Sequence, residues 1–268
     1  MVLTDPYKRR INYLRISVTD RCNLRCTYCM PEDGLKQLSH NDILKYEEII
    51  DFTRVAVKYG VDKVRITGGE PLVRKGIVYL VKELSGLDGI NDLSMTTNGQ
   101  LLETFAEQLA EYGLRRINIS LDTCDPDRYR EITRGGDIRN VIKGIVAAQK
   151  AGMNPIKLNC VVKKNADEPD AVGVKDFAEK MKLELRFIHL MDLHHGSFSV
   201  VEGGTGGNCE TCNRLRLTSN GYLMPCLFSD QKYDIKEMGY EQALLKAVEL
   251  KPCSGKINNN GEFYNIGG

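Results

Sequence analysis

The sequence predicts an α/β protein built on a parallel sheet with helices outside it. Two observations lead there. Short runs of β-branched or alternating apolar residues recur six times, and helical patterns separate them. Repeated β–α alternation lays successive strands parallel and packs the connecting helices on the sheet. Six units are too few for an eight-fold barrel, so an open partial barrel or a doubly wound sheet is expected. In both, ligands bind at the carboxyl ends of the strands.

Strands are expected at 13–18, 63–67, 93–97, 115–120, 156–162 and 184–190, and helices at 41–59, 76–84, 101–112, 138–151 and 171–181. In the first helix Ile49, Phe52, Val55 and Tyr59 recur at the spacing of an amphipathic face. After Met191 the pattern breaks. Residues 192–208 hold Gly196, Gly203, Gly204, Gly206 and Gly207 and read as a flexible loop. A small cysteine-bearing module follows, then a helix near 240–248 and a loose tail ending Gly267-Gly268. The expected division is therefore 1–191, 192–208 and 209–268.

The length of 268 residues suits one large domain or two modest ones. Lys and Arg number 37 against 36 Asp and Glu. Such a balance argues against a protein that coats nucleic acid, but not against a local basic pocket. No apolar run approaches the roughly 18 residues of a membrane helix. Residues 1–10 lack a signal-peptide core, so a cytoplasmic location is expected.

Nine cysteines are the unusual count. An odd number in a cytosolic chain is a poor disulfide framework, and tight spacing there points to metal. Cys22, Cys26 and Cys29 follow the first strand within eight residues, with no nearby histidine before His40. Soft thiolates select zinc, Cu(I) or iron–sulfur groups. A structural zinc needs four ligands, so three leave a position open for chemistry. Thr67-Gly68-Gly69-Glu70-Pro71 ends the second strand. Its glycines let backbone approach a ligand, and Glu70 is expected to take an ammonium group.

The C-x3-C-x2-C spacing, with Tyr28 before the last cysteine, resembles the radical S-adenosylmethionine (SAM) family. The resemblance implies that Cys22, Cys26 and Cys29 hold three irons of a 4Fe-4S cluster. SAM chelates the fourth iron, and an electron from the cluster cleaves SAM to a 5′-deoxyadenosyl radical. It also places Tyr28, Gly68, Gly69, Glu70, Ser120 and Met191 against SAM.

Cys209, Cys212 and Cys226 form a second triplet, the last beyond a turn at Asn220-Gly221. Spacing alone suits zinc as well as iron, with Cys253 as a conceivable fourth ligand. Arg214 and Arg216 lie two apart on one strand face, next to the cysteines. Guanidinium forks so placed suit phosphate oxygens, and the alternative is a solvated basic edge strand. Arg15, Lys63, Arg65, Lys157 and Arg186 sit on four candidate strands, and a curved sheet brings several of them into one cationic pocket.

Cys209-Glu-Thr-Cys-Asn-Arg-Leu-Arg-Leu-Thr-Ser-Asn-Gly, with Cys226, resembles the C-terminal signature of the GTP 3′,8-cyclase family, and Arg15-Ile-Ser-Val-Thr-Asp-Arg-Cys22 resembles its opening. The resemblance implies a partial (β/α)6 TIM-like barrel with a small C-terminal auxiliary-cluster region. It implies a lyase that cyclises GTP to 3′,8-cyclo-7,8-dihydro-GTP in molybdenum-cofactor biosynthesis, with SAM and two 4Fe-4S clusters. Arg15, Arg65, Thr96, Lys157, Arg214 and Arg216 fall at its GTP-contacting positions, and Lys63 and Arg186 at further basic ones. Gly267 and Gly268 match its terminal diglycine, which completes the catalytic site together with Arg15. A flavodoxin or ferredoxin is the implied electron donor, and a homodimer is compatible. The segment between Met191 and Cys209 is several tens of residues shorter than in typical cyclases. That shortening favours, as the alternative, a divergent two-cluster enzyme acting on a peptide or another nucleotide. His194 and His195, in the short segment, read as a solvated loop. Cys124, Cys160 and Cys253 read as inert thiols.

Overall fold

The computed structural model of the chain describes residues 2–32 and 37–259. Six strands follow the expected pattern: β1 Tyr13–Ser17, β2 Lys63–Thr67, β3 Asp92–Thr97, β4 Arg116–Ser120, β5 Ile156–Val162 and β6 Glu184–His189. Each pairs in parallel with the next. The order never reverses, whereas a doubly wound sheet needs a switch point. β7 Arg214–Leu217 then joins the other edge of β1, also in parallel, and is followed by the antiparallel β8 Tyr222–Met224 and β9 Tyr233–Asp234.

The sheet is strongly curved. β6 and β7 stand six strand spacings apart in the sheet order, about 29 Å if flat. Arg186 of β6 and Arg214 of β7 nevertheless line one cavity. The strands therefore curl into a partial barrel with a concave inner face. That explains their alternation. Strands buried under apolar layers on both faces read as continuous apolar runs. In β5, by contrast, Ile156, Leu158, Cys160 and Val162 are buried, while the intervening Asn159 and Val161 line a cavity on the other face.

The helices cover the convex face. They are α1 Tyr46–Lys58, α2 Ile77–Ser85, α3 Leu102–Glu111, α4 Pro126–Thr133, α5 Ile138–Lys150 and α6 Pro169–Met181. α1 buries Ile49, Ile50, Phe52, Thr53 and Ala56. It begins later than its pattern suggests, because Leu44 donates its N–H to the Ser219 carbonyl and ties the approach to the β7–β8 turn. α4 is the helix the apolar pattern does not reveal, since it buries only Tyr129 and Thr133. Its local signal is a cap: Asp125 accepts from the Arg128 N–H, and Pro126 opens the first turn.

Two short helices, α7 Ile235–Met238 and α8 Tyr240–Glu249, close the C-terminal region. Ala243, Leu244, Ala247 and Val248 of α8 join the same buried cluster as Leu14, Val64 and Ile117. The expected segments 1–191 and 209–268 thus share one sheet and the main core among the described residues, while Leu193, Met224, Leu227 and Phe228 form a second, small cluster. The 192–208 loop is packed, not loose. Antiparallel bridges join Asp192 to Ser197 and Phe187 to Glu202. At Gly207, with φ +80°, a Cβ would stand 1.9 Å from the Ser199 carbonyl oxygen, so glycine serves close contact there.

One side chain fixes where β1 releases the chain toward the first cysteines. Arg74 donates to the Val18 carbonyl at 2.5 Å and the Leu44 carbonyl at 2.6 Å, with its guanidinium 4.1 Å from the Tyr46 ring centroid. Arg74→Met strands both carbonyls and is expected to cost about 2–4 kcal/mol in urea unfolding. Arg74→Lys is expected to restore only part of it, because an ammonium cannot reproduce the fork.

Candidate active site

The first cysteine loop is held by backbone. Gly69 donates its N–H to the Thr19 carbonyl at 2.7 Å, and Glu70 donates to the Arg21 carbonyl at 2.8 Å. A Cβ on Gly69 would lie 2.4 Å from the Arg21 carbonyl oxygen, so the turn after β2 must be glycine to sit against the cysteine loop. On the far side Arg25 and Thr27 donate to the Thr133 and Ile132 carbonyls at the end of α4. Cys22, Cys26 and Cys29 then line a cavity of about 200 Å³. Tyr28, Gly68, Gly69, Thr96, Ser120 and Met191 line it too. Burial pushes the Cys22 thiol up to about 11 and Cys26 up to about 12. A bound metal would be needed to hold them as thiolates at neutral pH.

Glu70 corrects an expectation. It does not line the cavity and is only 1% exposed. Its Oε1 accepts from the Leu72 N–H at 3.0 Å and the Thr97 hydroxyl at 2.7 Å, and Oε2 from the Asn98 N–H at 2.6 Å. The carboxyl group locks β3's end to the cysteine loop. Asn98, unforeseen from sequence, extends the lock by donating to the Cys22 Sγ at 3.7 Å and the Asn23 Oδ1 at 2.8 Å. Asp122, likewise unforeseen, accepts from the Tyr28 hydroxyl at 2.7 Å and fixes that ring. Lone polar residues carry no local pattern, which is why neither is visible in the sequence.

Cys209, Cys212 and Cys226 line a second cavity of about 200 Å³. Arg15, Arg65, Arg186, Arg214 and Arg216 line it as well, and no carboxylate among the described residues does. Parallel register sets Arg65, Arg15 and Arg216 side by side on β2, β1 and β7. Burial, then Arg216, depress the Arg15 guanidinium, and burial with Arg214 brings Arg216 down to about 10. Burial raises Cys212, but Lys251 and Arg214 outweigh it and hold the thiol at about 7. β7 is flanked by β1 and β8, so its arginines do not form a solvated edge. The two cavities meet at Asn159, Ile188 and Met191. Buried Thr96 Oγ1 and Asn159 Oδ1 find no hydrogen-bond partner among the described residues.

Two expected substrate residues are not brought in. Lys63 is exposed and Lys157 is paired with Glu184, and neither lines either cavity. Both stand at the amino ends of strands, below the depth reached by Arg15, Arg65 and Arg186. Thr96 faces the first cavity and not the arginine one. His194 and His195 are exposed and line neither cavity, with His195 Nδ1 2.7 Å from Asp192 Oδ2. Cys124, Cys160 and Cys253 also stay outside both cavities. Gly267 and Gly268 lie outside the described residues. Among the described residues no three His, Cys, Asp or Glu side chains are placed to hold a single metal ion.

A three-thiol loop after the first strand, a glycine turn after the second and a curved parallel sheet define a radical SAM protein. The model described as the Radical SAM superfamily matches residues 16–178, and one described as Molybdenum Cofactor Synthesis C matches 175–253. The chain is 41% identical to the GTP 3′,8-cyclase of Alkaliphilus metalliredigens, covering 93% of each. It is also 41% identical to that of Pelotomaculum thermopropionicum, covering 93% of this chain and 94% of the relative. The chain belongs to the GTP 3′,8-cyclase family of radical SAM proteins. In the first of these comparisons, 93% of 268 residues fills about 249 of 298 aligned positions, in keeping with a shortened chain. Among solved structures, Streptococcus suis SuiB bound to precursor peptide SuiA matches at TM-score 0.67 and 18% identity, over 92% of this chain and 67% of that one. The anSMEcpe structure with bound AdoMet matches at TM-score 0.54 and 22% identity, over 69% and 51%. At those identities the likeness is one of fold.

Burial raises Glu70 to about 7 from its ordinary 4.5. The folded carboxyl therefore keeps a proton that the unfolded chain releases. The stability it contributes is full below pH 4.5 and is lost as pH rises through 7. The melting temperature of the metal-free chain is expected to fall across that window more steeply than that of Glu70→Gln.

Proposed function

We propose that this chain reductively cleaves SAM and cyclises GTP to 3′,8-cyclo-7,8-dihydro-GTP, the first step of molybdenum-cofactor biosynthesis. One observation carries the reading: the cavity of the first triplet opens, at Asn159, Ile188 and Met191, into a cavity with five arginines and, among the described residues, no carboxylate. A triphosphate is the small anion that such a wall suits. A peptide substrate has no comparable demand for it.

The residues fit two iron–sulfur clusters. Each triplet offers three soft thiols around a cavity, with room for one further ligand. Cys22, Cys26 and Cys29 would hold the first cluster, and Cys209, Cys212 and Cys226 the second. When bound, the first cluster supplies the electron for SAM cleavage, taken from an external donor such as flavodoxin or ferredoxin. The chain's own part is positioning. Gly68, Gly69, Ser120 and Met191 wall the SAM side, and Asp122 orients Tyr28 there. Arg15, Arg65 and Arg216 hold the phosphates in a row, with Arg186 and Arg214 at its flanks. Apolar Ile188 and Met191 at the junction exclude water from the reacting atoms. No described helix is long and apolar enough to cross a membrane, and a cytoplasmic location fits.

Anaerobic reconstitution with SAM and GTP tests the reading, and SAM cleavage with no GTP-derived product would sink it. Cys22→Ala is expected to abolish SAM cleavage, whereas Cys209→Ser is expected to spare some uncoupled cleavage and lose product. Arg216→Gln is expected to raise KM for GTP by about 10–100-fold through lost charge-assisted hydrogen bonds.

A further inference from the structure

The second triplet is assembled from separate parts of the chain. Cys209 and Cys212 precede β7, and Cys226 follows β8. The antiparallel pairing of β7 with β8 links the two stretches at one end, and the segment 251–253 with two buried cations links them beside the cysteines.

Arg9 is 8% exposed and sits beside Asp5, which is 4% exposed. Arg9 Nε donates to Asp5 Oδ2 at 2.6 Å, and Asp5 Oδ1 accepts from the Arg9 N–H at 2.9 Å. The rest of the guanidinium faces the cysteine region. Nη1 donates to the Cys209 carbonyl at 2.6 Å and the Cys253 carbonyl at 2.8 Å, and Nη2 to the Pro252 carbonyl at 2.7 Å. Arg9 thus staples the first cysteine of the triplet to 252–253. Lys251 is 3% exposed. Its Nζ donates to the Arg214 carbonyl at 2.7 Å and the Pro225 carbonyl at 2.5 Å. Arg214 lies two residues after Cys212, and Pro225 immediately before Cys226. Lys251 also interacts with the Cys212 side chain. Beyond it the tail stays docked, with Lys256 donating to the Phe228 carbonyl and Asn258 to the Leu193 carbonyl.

We propose that Arg9 and Lys251 are the positioning residues of the second cysteine triplet, clamping its two chain segments through 251–253 into a site that accepts an iron–sulfur group. Neither side chain lines the arginine cavity, so neither is a substrate ligand. Their groups act through main-chain carbonyls beside each cysteine. Lys251 adds a positive charge behind thiols that become anionic when they bind metal. The inference rests on reading Cys209, Cys212 and Cys226 as cluster ligands.

The test is anaerobic reconstitution of the full chain at limiting iron and sulfide. Iron and acid-labile sulfide are counted per chain, and paramagnetic resonance spectra are taken with and without SAM and GTP. Lys251→Met keeps the stem and removes the charge, and Arg9→Lys keeps the charge and removes the fork. Each is expected to lose about half the iron, on the scale of a 10–100-fold loss of metal affinity. The SAM-responsive signal should remain and the GTP-responsive signal should go. Variants that melt earlier but load the same iron, with both signals unchanged, overturn the clamp, since a purely structural role would leave loading intact. If Lys251→Met does not fold, Arg9→Lys decides on the same readouts. A wild-type chain that loads only one cluster overturns the ligand reading itself, separately from the clamp.

Discussion

Three guanidiniums stand side by side on neighbouring parallel strands, and much of the molecule is arranged around that row. Register alone places Arg65, Arg15 and Arg216 in line on β2, β1 and β7. Strands lie about 4.8 Å apart, so three positive side chains leave neighbouring positions on a concave, partly buried surface. Burial, with the Arg216 charge next, depresses Arg15, and burial with the Arg214 charge depresses Arg216. A polyanion in this cavity would meet several of those charges at once.

The two cysteine triplets offer the same donors in opposite electrostatic settings. The first is buried beside carboxyl groups, with Asp122 raising Cys26 further after burial has done most. The second lies among cations, which bring Cys212 down despite burial. A cluster with the same core would therefore meet a less positive field at the first site than at the second. Location matches the difference. The first triplet faces the cavity that the glycine turn shapes, and the second faces the arginine row. Backbone carbonyls are anchor points of both loops, held by main-chain N–H groups at the first and by the Arg9 and Lys251 side chains at the second.

The fold was readable in the sequence wherever period-2 alternation holds. Each of the six strands begins or ends within a residue of the expected bounds, because the convex face is apolar and the concave face is not. Alternation reports face but not depth. Lys63 and Lys157 share a face with Arg65 and Asn159, yet they sit too near the amino ends of their strands to reach either cavity. It also does not report partners. Arg214 and Arg216 were consistent with a solvated edge until β7 paired with β1. Glu70 and the glycines of 192–208 show a third limit. Glycine permits close approach, but what approaches is decided elsewhere in the chain. At Gly69 it is the cysteine loop, and at Gly207 it is Ser199.

That last point bears on the shortened segment. A short glycine-rich connection would leave the arginine cavity open if it were loose. Here it is folded back on the barrel. Glu202 bridges to Phe187 through the backbone and pairs with His189 at 3.0 Å. Phe198 packs on Phe228 with ring centroids 4.5 Å apart, and both rings line the cavity beside Cys226. Residues 198–208 therefore supply an apolar and glycine wall in place of a longer cover. The wall carries no charge toward the cavity, and among the described residues the charged side chains that line it come from the strands. A chain with a net charge of +1 can in this way hold five arginines about one cavity. The five positive charges face a concave space, where a compact polyanion would meet more of them at once than a long one lying across the outer surface.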